Sequence, residues 1–221
     1  MMPMLTLENR WICDQGLTHI NNGFFIELVD KQSFSLGGGP LTQIGVAFYI
    51  TPLINALIRV GNPIEKENLF RAFIEPELVV PSTKRGDTNG IEKLSTQSAR
   101  NCANAKSRQN REKEKAAELL DIQIFNNNLD DNKILILNAD DLDVSNTLTG
   151  LCAMGVAAAH KKPVILGRIS PDGYLKGSAR GRGESELKDF KAFLHESGLV
   201  SYAEGQDVAR NIFSVYQRGQ I

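Results

Sequence analysis

Gly177-Ser178-Ala179-Arg180 holds the residue types best suited to chemistry in this chain. Glycine lets a backbone approach a ligand closely. A serine hydroxyl donates one hydrogen bond, and an arginine fork grips a phosphate with two. The segment follows a predicted strand at Pro163-Val164-Ile165-Leu166-Gly167, a turn at Pro171-Asp172-Gly173 and a short strand at Tyr174-Leu175-Lys176. Gly181-Arg182-Gly183 then leads into a predicted helix with Leu187, Phe190 and Leu194 on one face. That pattern puts Ser178 and Arg180 in a strand-to-helix connection, where free N–H groups attract an anion. The same residues also read as a tight turn that requires glycine and carries a solvated arginine.

Other constellations are weaker. Asp140, Asp141 and Asp143 suit a hard cation, but they precede a helix and read better as capping residues. Gly37-Gly38-Gly39 lacks the Gly-Lys-Ser/Thr ending of a phosphate-binding nucleotide loop. Phe48 and Tyr49 have rings that could stack on bases, yet within an apolar run they read as core. His160 and His195 fall near helix ends, and no nucleophile–base arrangement follows from spacing.

Charge is segregated. The chain has 25 Lys and Arg against 26 Asp and Glu, which argues against a uniformly basic nucleic-acid binder. Residues 84–115 nevertheless hold nine Lys/Arg and four Asp/Glu, whereas 119–145 hold one Lys and six Asp. A local phosphate-binding face is compatible with that distribution. Projected on a helix from Glu92 to Asn126, Lys93, Arg100, Arg108, Arg111 and Lys115 form one stripe. It reads either as a backbone-contacting surface or as the solvated side of a spacer.

The elements that must position these residues fall into three stretches. Residues 1–75 read as mostly helical, with a helix over Gly16 to Lys31, a candidate cap at Thr42 and an apolar helix from Ile44 to Ile58 broken by Pro52. That apolar segment has no evident burial partner in the sequence and is expected to be sticky. Residues 76–128 read as a linker, Pro76 to Gly90, and a long connecting helix. Residues 129–221 read as a small α/β domain with a βαβ core: strand Lys133 to Leu137, helix Ser145 to Ala159, strand Val164 to Leu166. The fold class is therefore α/β, with a helical N-terminal segment and a long helix leading to a small α/β domain, truncated or complete. No apolar run is long enough to suggest a membrane span, the N-terminus does not read as a signal peptide, and three distant cysteines do not form a disulfide framework. A reducing cytoplasm is the expectation.

Several segments in register are similar to one family. Lys176-Gly177-Ser178-Ala179-Arg180 resembles the GSAR signature of the DHH-associated C-terminal domain found in RecJ-like single-strand exonucleases. Phe48 through Arg59 resembles that family's F-x-I-x-P-x-I-N-A-x-x-R segment. Asn104-Ala105-Lys106-Ser107-Arg108-Gln109 resembles its connecting helix. Thr149-Gly150-Leu151 through Lys162-Pro163-Val164-Ile165-Leu166 resembles the helix and strand before GSAR. The resemblance covers about residues 16–205.

The resemblance implies metal-dependent hydrolysis of phosphodiester bonds in single-stranded DNA. Phosphates would be held by Ser178, Arg180, Gly177 and Arg59, with Arg108 and Arg111 along the connecting helix. The family's Asp-His-His motif, which binds two Mn or Mg ions, is missing: His19, His160 and His195 are nowhere adjacent. Catalytic and metal residues are thus expected outside this chain, on missing sequence or on a separate DHH-domain polypeptide. Where the family carries a Gly-His step, this chain has Glu204-Gly205-Gln206. Two other readings stay open: a noncatalytic single-strand-binding adaptor, and a phosphodiesterase for oligonucleotides or cyclic dinucleotides.

Overall fold

A computed structural model of the chain describes residues 6–87, 89–181, 189–198, 200–206 and 210–216, with the backbone alone from 202 onward. The chain divides into two compact units, Met1–Gln109 and Asn110–Ile221.

The first unit is helical. Helices α1 (Leu7–Thr18) and α2 (Gly23–Lys31) replace the single helix expected from Gly16 to Lys31. They are separated because Asn22 caps α2, its side chain accepting from Phe25 N–H at 3.0 Å. A short α3 (Ser33–Leu36) ends on Gly37, whose φ of 71° suits glycine. Thr42 caps α4 (Gln43–Gly45) as expected, accepting from Gly45 N–H at 3.1 Å.

The apolar stretch is not broken at Pro52. A π-helical segment, Val46–Ile50, runs into α5 (Thr51–Val60), and Pro52 stands in the first turn of α5, where its missing N–H is tolerated. Gln43–Val60 is, by length and composition alone, long and apolar enough to cross a membrane, contrary to the sequence expectation. Its inner face is occupied, however. Ile50, Leu53, Ala56 and Leu57 join Phe24 and Leu28 in a core completed by α6 (Pro63–Ile74) and by Leu94, Ala99, Cys102 and Ala105. The burial partners expected to be missing are therefore present within the chain. Phe48, at 70% exposure, and Tyr49 are surface residues, not the core residues their setting suggested. The π turn rotates Ile50 inward and leaves both rings outside.

Pro76 to Gly90 is more than a linker. Strand β1 (Val79–Pro81) pairs antiparallel with β2 (Ile91–Lys93). The long helix α7 (Leu94–Asn126) begins directly after β2 and runs through the boundary between the units.

The second unit is α/β. Strand β3 (Leu135–Asn138) is followed by a 3₁₀ turn, Asn146–Leu148, and helix α8 (Thr149–His160). Strand β4 (Val164–Ile169) pairs parallel with β3, as the βαβ reading required. A turn with Gly173 at φ 81° leads to β5 (Tyr174–Arg180), antiparallel to β4. Helix α9 (Phe190–Glu196), β6 (Val200–Gln206) and β7 (Arg210–Tyr216) complete a five-stranded sheet in the order β3-β4-β5-β7-β6. The closing strands form even though Glu204-Gly205-Gln206 departs from the family pattern. Leu187 and Arg182-Gly183 lie outside the described residues.

Candidate nucleic-acid interface

Ser178 and Arg180 are strand residues. Both belong to β5, hydrogen-bonded between β4 and β7, not to a strand-to-helix connection. Side chains alternate along a strand, so Lys176, Ser178 and Arg180 share one face. The opposite face carries Ala179, which packs with Ile165 of β4 and with Phe190 and Leu194 of α9. Helix α9 thus covers the far side of this strand, while α8 meets the Ser178 side.

Gly150, in the first turn of α8, fixes how closely that helix approaches. A Cβ placed on Gly150 would lie 2.3 Å from Nη2 of Arg180 and 3.1 Å from Oγ of Ser178. Arg180 Nη1 also donates to the carbonyl of Ala179 at 2.7 Å. Ser178 is buried, and the guanidinium is half-buried against the helix.

A cavity of about 480 Å³ opens beside Ser178, its lining including Asp140, Asn146, Thr149, Arg168 and Lys176. Each wall has a local cause. Arg168, on β4, donates from Nη2 to the carbonyls of Val144 at 2.8 Å and Leu142 at 3.3 Å, tying down the loop before α8. Asp140 accepts from the Ile169 N–H at 3.2 Å, which joins that loop to the end of β4. The capping role expected of the aspartates falls instead to Ser145, which accepts from Thr147 N–H at 3.3 Å. Lys176 is bonded to Asp172 at 3.2 Å across the β4–β5 turn. Helix α8 has no side-chain cap of its own. A hydroxyl and a guanidinium thus converge beside the first turn of α8, a donor pair for an anionic oxygen.

Gly177 has a different task from the one expected. It sits opposite Gly167 in the β4–β5 ladder, and a Cβ there would lie 2.1 Å from the Leu166 carbonyl oxygen. Its glycine identity is dictated by close strand approach, although its backbone borders the cavity.

The cationic stripe is largely committed to the fold. Lys93 belongs to β2, not to the helix, and pairs with Glu77 at 2.6 Å. Arg100 contacts both carboxylate oxygens of Glu92 at 2.6 Å. Arg108 pairs with Glu65 of α6 at 2.9 Å, so its expected phosphate role meets a resident carboxylate. Arg111 and Lys115 are exposed and have no ion-pair partner among the described residues. Arg59 is half-buried on α5. Arg59 and Arg108 belong to the first unit, and Arg111, Ser178 and Arg180 to the second.

Gly150, Thr149 and Arg168 do not stand out in the sequence as site residues. A glycine in the first turn of a helix is a poor helix former, and that is the available signal for Gly150. Among the described residues, no group of three or more His, Cys, Asp and Glu could hold a metal ion. The described residues therefore do not fit the metals of the resemblance. His160, ending α8, contacts Asp121 at 3.0 Å and Asp130 at 3.4 Å, a tie between α7, α8 and the intervening turn.

No protein-family model matches the chain. Over 203 residues it is 36% identical to YorK of Bacillus subtilis (strain 168), named as an SPbeta prophage-derived single-strand DNA-specific exonuclease. The corresponding protein of Bacillus phage SPbeta matches equally. The chain resembles part of a RecJ-like single-strand exonuclease. The match takes in 90% of the chain and 35% of each relative, so the chain spans about a third of their length. Among solved structures, RecJ from Thermus thermophilus in complex with Mn2+ superposes with a TM-score of 0.65 at 20% identity, over 95% of this chain and 27% of that one. An exonuclease RecJ bound to manganese gives a TM-score of 0.59 at 19% identity, over 95% and 46%. The chain thus shares its α/β fold with part of those structures.

Proposed function

We propose that this chain is the nucleic-acid-binding portion of a RecJ-like exonuclease that hydrolyses phosphodiester bonds in single-stranded DNA. The observation that carries the reading is the convergence of Ser178 and Arg180 on the first turn of α8, with a cavity beside Ser178. Arg180 holds a backbone or terminal phosphate through its planar fork, and Ser178 donates to a second oxygen. Arg111 and Lys115 add sequence-independent contacts along α7. The metal-dependent chemistry, with Mn or Mg, belongs to sequence corresponding to the rest of the relatives, on a longer chain or a separate polypeptide. The exposed apolar side chains of the first unit, Ile44, Phe48 and Ile58 among them, supply a surface for that part. The three free cysteines accord with a reducing cytoplasm.

The test is salt-titrated binding of 5′-phosphorylated and unphosphorylated single strands to the full chain. Arg180→Ala should weaken binding by on the order of 1–3 kcal/mol, and Arg180→Lys nearly as much, because lysine has no fork. The loss should depend little on base sequence. Ser178→Ala, which removes a neutral donor, should cost less. Wild-type binding by Arg180→Ala would leave the Gly177–Arg180 segment as structure only.

A second reading is a noncatalytic single-strand-binding module, in which Ser178 and Arg180 hold the strand without a metal-bearing portion. Under both readings the chain alone should not degrade single-stranded DNA with Mg²⁺ or Mn²⁺. They separate when a metal-bearing RecJ-type portion is added: restored cleavage supports the first, and unchanged binding without cleavage supports the second.

A further inference from the structure

We infer that Gly150 is the positioning residue for the phosphate anchor: its missing side chain makes the slot in which the Arg180 guanidinium lies against the first turn of α8. The inference rests on the phosphate reading of Ser178 and Arg180 given above. Three facts carry it. A Cβ at Gly150 would stand 2.3 Å from Arg180 Nη2, 3.4 Å from its Cζ and 3.1 Å from Ser178 Oγ, so the arginine would have to leave first. On its other side the guanidinium is held by the Ala179 carbonyl, 2.7 Å from Nη1. And Gly150 stands in a helix at a φ that any residue could adopt, so backbone conformation does not require glycine there.

A second glycine on the same helix gives the contrast. A methyl group placed on Gly155 would meet nothing within 4 Å, so that position tolerates alanine. The requirement at 150 is thus set first by Arg180 and second by the Ser178 hydroxyl, and not by helix packing in general. With Nη1 held by the Ala179 carbonyl and Nη2 against the first turn of α8, the guanidinium is positioned by the slot rather than by rotamer choice, before an anion arrives.

The experiment is a double-mutant cycle on the full chain, read by binding of a 5′-phosphorylated single strand at fixed salt and by thermal unfolding. Gly150→Ala should lower affinity by about ten- to a hundred-fold, the range for one displaced charged hydrogen bond. In an Arg180→Ala background it should change affinity by less than about two-fold, because only the Ser178 hydroxyl then remains near the new methyl. Gly155→Ala should bind like the wild type. If Gly150→Ala folds poorly, adding Arg180→Ala should restore its unfolding temperature, since the clash is removed. Normal binding by Gly150→Ala, or equal losses in both backgrounds, overturns the positioning role while leaving the anchor intact. Normal binding by Arg180→Ala overturns the anchor itself.

Discussion

Glu92 and Arg100 face each other fork to fork, with both carboxylate oxygens 2.6 Å from the guanidinium. The pair joins β2 to the second turn of α7. Gln97 Nε2 and Thr83 N–H donate to the same carboxylate at 3.1 Å, so a nearly buried anion is fully satisfied. Bidentate, multiply bonded pairs of this kind are the strong ones. They hold the start of the long helix against the hairpin before any ligand is involved.

The Arg100 guanidinium, helped by Gln97 and Thr83, brings the Glu92 carboxyl down to about 2, against opposing desolvation. A carboxyl depressed in the folded state adds stability that is present above its unfolded value, near 4.5, and is lost as pH falls toward 2. Arg100→Ala should therefore cost about 2–4 kcal/mol at pH 7, because it strands Glu92 in the interior. The penalty should shrink progressively between pH 4.5 and 2. Urea unfolding of both proteins across that range checks it; a penalty that does not vary with pH would mean that the pair contributes little through charge.

Gly177 and Gly155 should respond oppositely to alanine. At Gly177 the new methyl would meet backbone, the Leu166 carbonyl oxygen at 2.1 Å and Gly167 Cα at 2.4 Å, and neither atom can rotate away. Gly177→Ala should destabilise the second unit by about 3 kcal/mol or more. Gly155→Ala, in an open position on α8, should stabilise it by up to about 1 kcal/mol. Denaturant midpoints decide the point.

These two glycines also mark what the sequence can tell. The strands around Leu135 and Leu166 are legible because their side chains are buried, and short apolar runs bounded by turns announce that. The strand character of Gly177-Ser178-Ala179-Arg180 is not legible, since glycine and alanine disfavour strands. Pairing with β4 on one side and β7 on the other overrides that preference. The hairpin of β1 and β2 escapes a sequence reading for a related reason: three-residue strands with Pro81 at an end leave no periodicity. In the site, the residue types of the anchor are visible, but the role of Gly150 emerges only where α8 lies on β5. Arg100 and Arg108 look like free surface cations because the carboxylates that claim them, Glu92 and Glu65, are identified by the fold and not by spacing along α7.

The thiols should separate by reactivity. Burial pushes the Cys102 thiol up to about 12, with the Glu65 charge adding to it, and burial also raises Cys152. Cys13 is half-buried on α1. The thiolate is the reactive form, so a maleimide at roughly neutral pH should label Cys13 rapidly and the other two only on unfolding. Mass spectrometry after brief labelling should find one adduct, at Cys13. Early modification of Cys102 would show that the first unit opens readily in solution.

Arg108 and Arg111, three residues apart on α7, should divide stability from binding. Arg108 is tied to Glu65, which also accepts from Asn62 N–H at 2.9 Å and so belongs to the capping box that starts α6. Arg108→Ala removes a half-exposed pair and should lower stability by about 1 kcal/mol or less, with little change in how binding depends on salt. Arg111 is exposed and has no ion-pair partner among the described residues, so Arg111→Ala should leave stability within about 0.5 kcal/mol. If Arg111 meets a phosphate, its loss reduces the slope of log affinity against log salt by about 0.7, the value for one contact on a single strand. Binding titrations at several salt concentrations, with unfolding curves for the same two variants, test both halves together. A reduced salt slope in Arg108→Ala, with none in Arg111→Ala, would mean that Glu65 releases its arginine to the strand.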